Sequence, residues 1–131
     1  MILVDTSIWI DLLAVKPWHA IREEDFDRIV TCGPIVQEVL QGLRPGPQSD
    51  TLRKAFLEIP VLSDPVPLDL FVSAADIYAL GRRRGLTIRS SVDCLIAAIA
   101  IEHGIPVWHK DRDFHSIARY TSLEVIGSRS V

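Results

Sequence analysis

Five acids in this chain border hydrophobic segments, at places where most acidic side chains would be surrounded by water. Asp5 ends the apolar run Ile2-Leu3-Val4, and Glu38 sits among Ile35, Val36, Val39 and Leu40. Asp93 opens the stretch Leu95 to Ile101, and Asp111, with Asp113 two positions on, follows Ile105 to His109. Each has an ordinary use when taken singly. Asp93 can complement a helix dipole, worth a few tenths to about 1 kcal/mol; Glu38 can face solvent, and Asp111 and Asp113 can belong to a turn. Their common placement points elsewhere. Carboxylates gathered in a low-dielectric cleft repel one another and raise each other's pKa, so such a cluster is tolerable only with protons or a bound cation. Hard oxygen donors of this kind select Mg²⁺ or Mn²⁺.

The elements that must position these acids are read from apolar spacing. Residues 2–4 form a buried strand, and Ser7 to Leu13 has the spacing of a short helix that Lys16-Pro17 closes. Residues 28–32 form a second strand. Pro34 suits the first turn of a helix carrying Ile35, Val36, Val39, Leu40 and Leu43, which ends near Gly42 to Pro45. After the polar break RPGPQSD comes a helix around Thr51 to Glu58, then a short strand and loop in IPVLSDPVP. Phe71, Ala74, Ala75 and Tyr78 mark the apolar stripe of a helix running to Gly85. Ser90 is the expected N-cap of the next helix, with Asp93 completing an approximate capping box, and Gly104 ends it. IPVWH reads as a core strand, followed by a helix near Ser116 and a strand at Leu123 to Ile126. Continuous apolar strands alternating with helices predict an α/β sandwich with a largely parallel sheet, covered on both faces. Ligands of such sheets bind beyond the carboxyl ends of the strands. Asp5 and Asp111 then reach the same rim, if their strands are parallel neighbours.

The 131 residues suit one domain, 1–131, with no repeat or linker. Apolar residues make up 48% of the chain, which argues against disorder, and a net charge of -3 excludes a protein that grips nucleic acid by bulk basicity. Cys32 and Cys94 form no CxxC pair and suit a reducing compartment. Asp5 and Asp11 interrupt the apolar N-terminus and no basic segment precedes it, so a signal peptide is not expected. Nor is any apolar stretch long enough to span a membrane. The expectation is a soluble, cytoplasmic protein.

The segments VDTSIWIDLL, PIVQEVLQGL, SSVDCLIAAIA and VWHKDRDF, in this order and approximate spacing, resemble PIN-domain proteins, most closely the VapC-type toxins of bacterial toxin–antitoxin pairs. The likeness runs from Met1 to about Val125. It implies a three-layer α/β/α sandwich with a mostly parallel central sheet, and a Mg²⁺- or Mn²⁺-dependent endoribonuclease. The family's four acids fall on Asp5, Glu38, Asp93 and Asp111, with Asp113 as an additional ligand or a replacement for Asp111. Thr6 or Ser7 corresponds to the polar residue that orients the first acid. One or two metal ions would polarise the scissile phosphate and lower the pKa of a bound water. The likeness also implies a homodimer and a cognate VapB-type antitoxin whose C-terminal segment lies in the groove.

With the acids occupied by cations, contact with RNA would fall to basic residues at the rim: Lys110 and Arg112 beside Asp111, and Arg44 after Glu38's helix. His19, His103, His109 and His115 carry no metal-binding spacing and are read as surface or packing residues. Trp9 and Trp108 are read as core, and Trp18 as more exposed. Two rivals remain on the residues alone. One is a catalytically silent PIN-like module that binds RNA or a protein, against which the intact acidic set speaks. The other is an aspartyl-phosphate enzyme, whose phosphatase form wants a second Asp where this chain has Ser7.

Overall fold

The computed structural model describes residues 1–14 and 23–127. Its centre is a five-stranded sheet in the order β3-β2-β1-β4-β5, built from β1 (Ile2–Val4), β2 (Ile29–Cys32), β3 (Val61–Leu62), β4 (Val107–Trp108) and β5 (Val125–Ile126). Every pairing is parallel: Ile2 and Leu3 stand opposite Ile29 and Val30, while Leu3 and Val4 stand opposite Val107 and Trp108. The three central strands, β1, β2 and β4, are buried along their whole length, which is why they read as unbroken apolar runs. Helices flank the sheet to give the α/β/α sandwich: α1 (Thr6–Ala14), α2 (Gly33–Gln41), α3 (Pro47–Leu57), α4 (Leu68–Arg83), α5 (Ser91–His103) and α6 (Arg112–Ala118). A 3-10 turn, Glu23–Arg28, leads into β2.

The chain builds outward from β1 to β2 and β3, then returns to the other side of β1 to lay down β4 and β5. The strand order therefore reverses between β1 and β4, and the crevice beyond their carboxyl ends is where such sheets bind ligands. Backbone hydrogen bonds hold that rim together. Asp5 N donates to Trp108 O at 2.9 Å, which carries the β1–β4 ladder one residue past the strand, and Asp5 O accepts from Ile8 N and Trp9 N to start α1.

α5 is the most deeply buried helix. Ile96, Ala97, Ile99 and Ala100 are fully buried, because the helix is apolar on nearly every side and needs cover from both the sheet and α4. It stops at Gly104, whose φ of 63° is the left-handed conformation that glycine adopts at least cost. Trp9 packs edge-on against Phe56 with ring centroids 5.1 Å apart, and Trp9 and Trp108 are both core residues as expected.

Three expectations need correction. α3 starts at Pro47, inside the segment read as a polar break, because proline is pre-organised for a helix's first turn. The buried face of α4 is Leu70, Ala74, Ile77 and Gly81, so Phe71 and Ala75 of the expected stripe lie outside, with Phe71 48% exposed. Apolar residues occur on two faces of α4, and packing on α5 chooses between them. Gly81 belongs to the chosen face because Tyr120 lies over it: a Cβ there would come within 2.6 Å of Tyr120 Oη. Finally, Ser90 occupies the N-cap position of α5 but makes no side-chain cap bond, so the expected capping box does not form. Lys16-Pro17, Trp18 and His19 lie outside the described residues.

Candidate active site: an acidic crevice at the strand rim

Asp5 stands at the lip of β1 and is 3% exposed. Its Oδ2 accepts two bonds from Ser7, from the hydroxyl at 2.6 Å and from the amide at 3.1 Å. Of the two residues expected to orient this acid, Ser7 therefore does so by side chain. Thr6 turns its hydroxyl elsewhere, donating to Glu38 Oε1 at 2.9 Å, and so ties the carboxylate of α2 to the start of α1. Ser7 Oγ also accepts from Lys110 N at 3.3 Å, which couples the loop after β4 to the first acid.

Asp93, on the first turn of α5, is 6% exposed, and its Oδ2 has no hydrogen-bond partner. Burial pushes its carboxyl up to about 9, helped by a hydrogen bond with Asp113 and by the charges of Asp5, Asp111 and Asp113. Asp5 is also raised, chiefly by burial and further by Asp111, although the Ser7 hydroxyl and the Ser7 and Thr6 amides act against the shift. Near neutral pH this crevice thus holds at least one carboxyl in its protonated form.

Asp111 caps α6 by accepting from Asp113 N at 2.9 Å through Oδ1. Asp113 is 3% exposed, and its Oδ1 and Oδ2 accept from Arg89 N at 3.1 Å and Ser90 N at 3.0 Å. Among the described residues, Asp93, Asp111 and Asp113 offer ligand oxygens that all lie within 4.8 Å of one another. Asp5 stands close enough to this trio to raise Asp93 by its charge, and Thr6, the residue after Asp5, donates its hydroxyl to Glu38. The trio is the tight part of the crevice, and Glu38 lies outside that trio, on α2.

The donor set is made of carboxylate oxygens alone, one of them buried without a partner, and it fits a hard divalent cation. Neither cysteine fits such a role. Both are buried, and burial pushes Cys32 up to about 12 and Cys94 up to about 11, so both remain neutral thiols.

The profile described as PIN domain matches residues 2–120. This chain belongs to the PIN-domain family. The chain is 39% identical over 135 residues to Ribonuclease VapC11 of Mycobacterium tuberculosis, which covers 98% of this chain and 100% of that protein. Ribonuclease VapC4 of the same organism is 30% identical over 127 residues, 95% of this chain and 94% of its own. These relatives place this PIN domain among the VapC proteins. In fold it is similar to VapBC-1 from nontypeable Haemophilus influenzae, with a TM-score of 0.75 at 20% identity over 97% of this chain and 98% of that one. DNA-bound VapBC from Salmonella typhimurium superposes with a TM-score of 0.75 at 19% identity over 96% of each chain.

Around the crevice, the basic residues of this PIN domain differ in their freedom. Arg112 is exposed at the first position of α6, and Arg44 is exposed on the wall of a groove that also includes Glu38, Ile10 and Leu43. Lys110 instead pairs with Asp11, Nζ to Oδ2 at 2.6 Å, so its charge is partly answered within the chain. Both side chains of that pair are well exposed, and such surface pairs are worth about 0–1 kcal/mol, so a phosphate can compete for the lysine. Of the histidines, His109 is buried and tilted against Phe114 with ring centroids 5.4 Å apart, and burial lowers its pKa. His103 Nε2 is 3.0 Å from Ser63 Oγ, and His115 is exposed.

Two parts of the site are absent from what residue types and spacing suggest. They are the double role of Ser7 and the use of the Arg89 and Ser90 amides by Asp113. The adjacency of Ser7 to Asp5 is a signal for the first. The second has none, because Asp113 lies 24 and 23 positions from its two donors.

Proposed function

We propose that this chain is a divalent-metal-dependent endoribonuclease, a single PIN domain over residues 1–131 acting in the cytoplasm as the toxin of a toxin–antitoxin pair. The observation that carries the reading is the buried Asp93 carboxyl, its Oδ2 unpartnered, set among other carboxylates at the reversal point of a parallel sheet. The family and the VapC ribonuclease relatives support it.

Asp5, Asp93 and Asp111 are the groups that would hold Mg²⁺ or Mn²⁺, with Glu38 contributing from α2. A cation bound there supplies charge neutralisation for the scissile phosphate and a more acidic water for attack at phosphorus. The chain's own residues do the rest. Ser7 fixes the Asp5 carboxylate by two bonds donated to Oδ2. Thr6 holds Glu38. Asp93 gives up its proton on loading, since an acid with a pKa near 9 is neutral before the cation arrives. Arg44 and Arg112 would bind backbone phosphates flanking the cleaved bond and fix its register, with Lys110 available once released from Asp11. Burial lowers the pKa of His109 and so favours its neutral imidazole.

A VapB-type antitoxin would occupy the groove walled by Glu38 and Arg44 and so deny RNA its approach, and the toxin would act as a homodimer. The test uses purified protein freed of antitoxin, incubated with total RNA. Cleavage is expected with Mg²⁺ or Mn²⁺, ceasing with EDTA, and Asp5→Asn or Asp93→Asn should nearly abolish it. RNA binding without cleavage, indifferent to metal, would instead mark a silent PIN module.

A further inference from the structure

Asp113 has the chemistry of a metal ligand but the connections of a clasp. It is 3% exposed, and each of its carboxylate oxygens accepts a backbone amide from the two residues that lead into α5. Its own amide donates to Asp111. The N-cap residue of α5, Ser90, has no side-chain cap bond, so the approach to this helix is held by Asp113 from across the crevice. Three residues further on stands Asp93. A continuous chain of bonds thus runs from Asp111 through Asp113 to the segment that sets the direction of Asp93.

We propose that Asp113 is a positioning residue that clasps the start of α5 to the loop after β4 and thereby aims Asp93 into the crevice, while Asp111, not Asp113, serves as the ligand from that loop. The proposal rests on the crevice being the metal site of the proposed nuclease. Asp111 uses one oxygen to accept from Asp113 N, is partly exposed, and offers an oxygen within 4.8 Å of those of Asp93 and Asp113. Asp113 is closed in, and direct coordination there would have to share oxygens already committed to two amides. Buried partners of this kind orient the groups that touch a metal, and their loss typically lowers metal affinity by 10–100-fold without removing a ligand.

The experiment compares Asp113→Ser and Asp113→Asn with Asp111→Ser in the full chain. Amide hydrogen exchange is followed at Arg89 and Ser90 in metal-free protein. Mn²⁺ alone is then titrated, and the number of waters on bound Mn²⁺ is read from water-proton relaxation. The clasp predicts exchange at Arg89 or Ser90 faster by about tenfold or more in both Asp113 variants, with Mn²⁺ affinity reduced about tenfold and the count of bound waters unchanged. Asp111→Ser should leave the two amides protected and add a water to the ion. Unchanged exchange at Arg89 and Ser90, or an extra Mn²⁺-bound water in the Asp113 variants, overturns the proposal. If Asp113→Ser fails to fold, Asp113→Asn, which keeps one acceptor oxygen, decides by the same readings. Should even the unaltered protein bind no Mn²⁺, the metal-site reading fails, and the exchange arm still judges the clasp.

Discussion

Replacing Asp93 by asparagine tests the electrostatics of the crevice without any need for substrate. Asn is nearly isosteric with the protonated acid and can likewise donate toward Asp113, so the variant imitates the neutral form of the native residue. The folded protein holds the Asp93 proton up to about 9, whereas an exposed carboxyl releases it near 3.8. Between these values the folded state binds one more proton than the unfolded state, so stability falls as pH rises, by about 1.4 kcal/mol per pH unit for one proton. That contribution is complete below the unfolded value and is lost as pH climbs to the folded one. From about pH 5 to about pH 7 the metal-free native protein should therefore lose about 3 kcal/mol relative to Asp93→Asn, since their other titrating groups are shared. Urea unfolding in EDTA at a series of pH values measures the difference. The variant should be the more stable at neutral pH, and its advantage should shrink on acidification and on adding Mg²⁺ to the native protein. A difference flat with pH, or a native protein more stable than the variant near pH 8 in EDTA, would refute the argument that burial and neighbouring acids hold this proton.

Loading of the site should release about one proton per cation at neutral pH, seen as a dependence of calorimetric Mg²⁺ heats on buffer ionisation enthalpy and absent in Asp93→Asn. Reversing charge at Arg44 or Arg112 should weaken RNA binding uniformly across sequences and make the slope of log affinity against log salt shallower by about one; unchanged affinity removes that residue from the interface. Gly81→Ala should cost about 1–3 kcal/mol in thermal or denaturant unfolding, because the new methyl group would meet Tyr120 Oη at 2.6 Å. Adding Tyr120→Phe removes that oxygen and should recover part of the loss. Alone, Tyr120→Phe should cost about 1 kcal/mol for the bond from its hydroxyl to Ile77 O.

The order and kind of the elements could be read directly. Ile2 to Val4, Ile29 to Cys32 and Val107 to Trp108 are buried on both faces, so continuous apolar letters and a parallel sheet have the same cause. Apolar spacing could not say which side of α4 would be buried. Phe71 and Leu70 are adjacent letters of similar hydrophobicity, and only the docking of α5 and the Tyr120 ring over Gly81 decides that Leu70 goes inside. The missing cap at Ser90 has a similar origin. Local chemistry allowed a box with Asp93, but Asp113 reached the same backbone from the first turn of α6.

For the acidic crevice, the chain itself determined which residues carry oxygen donors and that Asp5 and Asp111 each follow a strand, because those properties depend only on residue type and neighbours. Which of the acids approach within 4.8 Å, that the Thr6 hydroxyl serves Glu38 rather than Asp5, and that both oxygens of Asp113 accept amides were decided by the tertiary structure alone. The physical reason is range. Strand and helix signals arise from contacts a few residues apart, whereas the carboxylates meet only after a sheet order and a helix packing have been chosen by burial of the core, and their hydrogen-bond partners are whatever polar groups that packing brings to the rim.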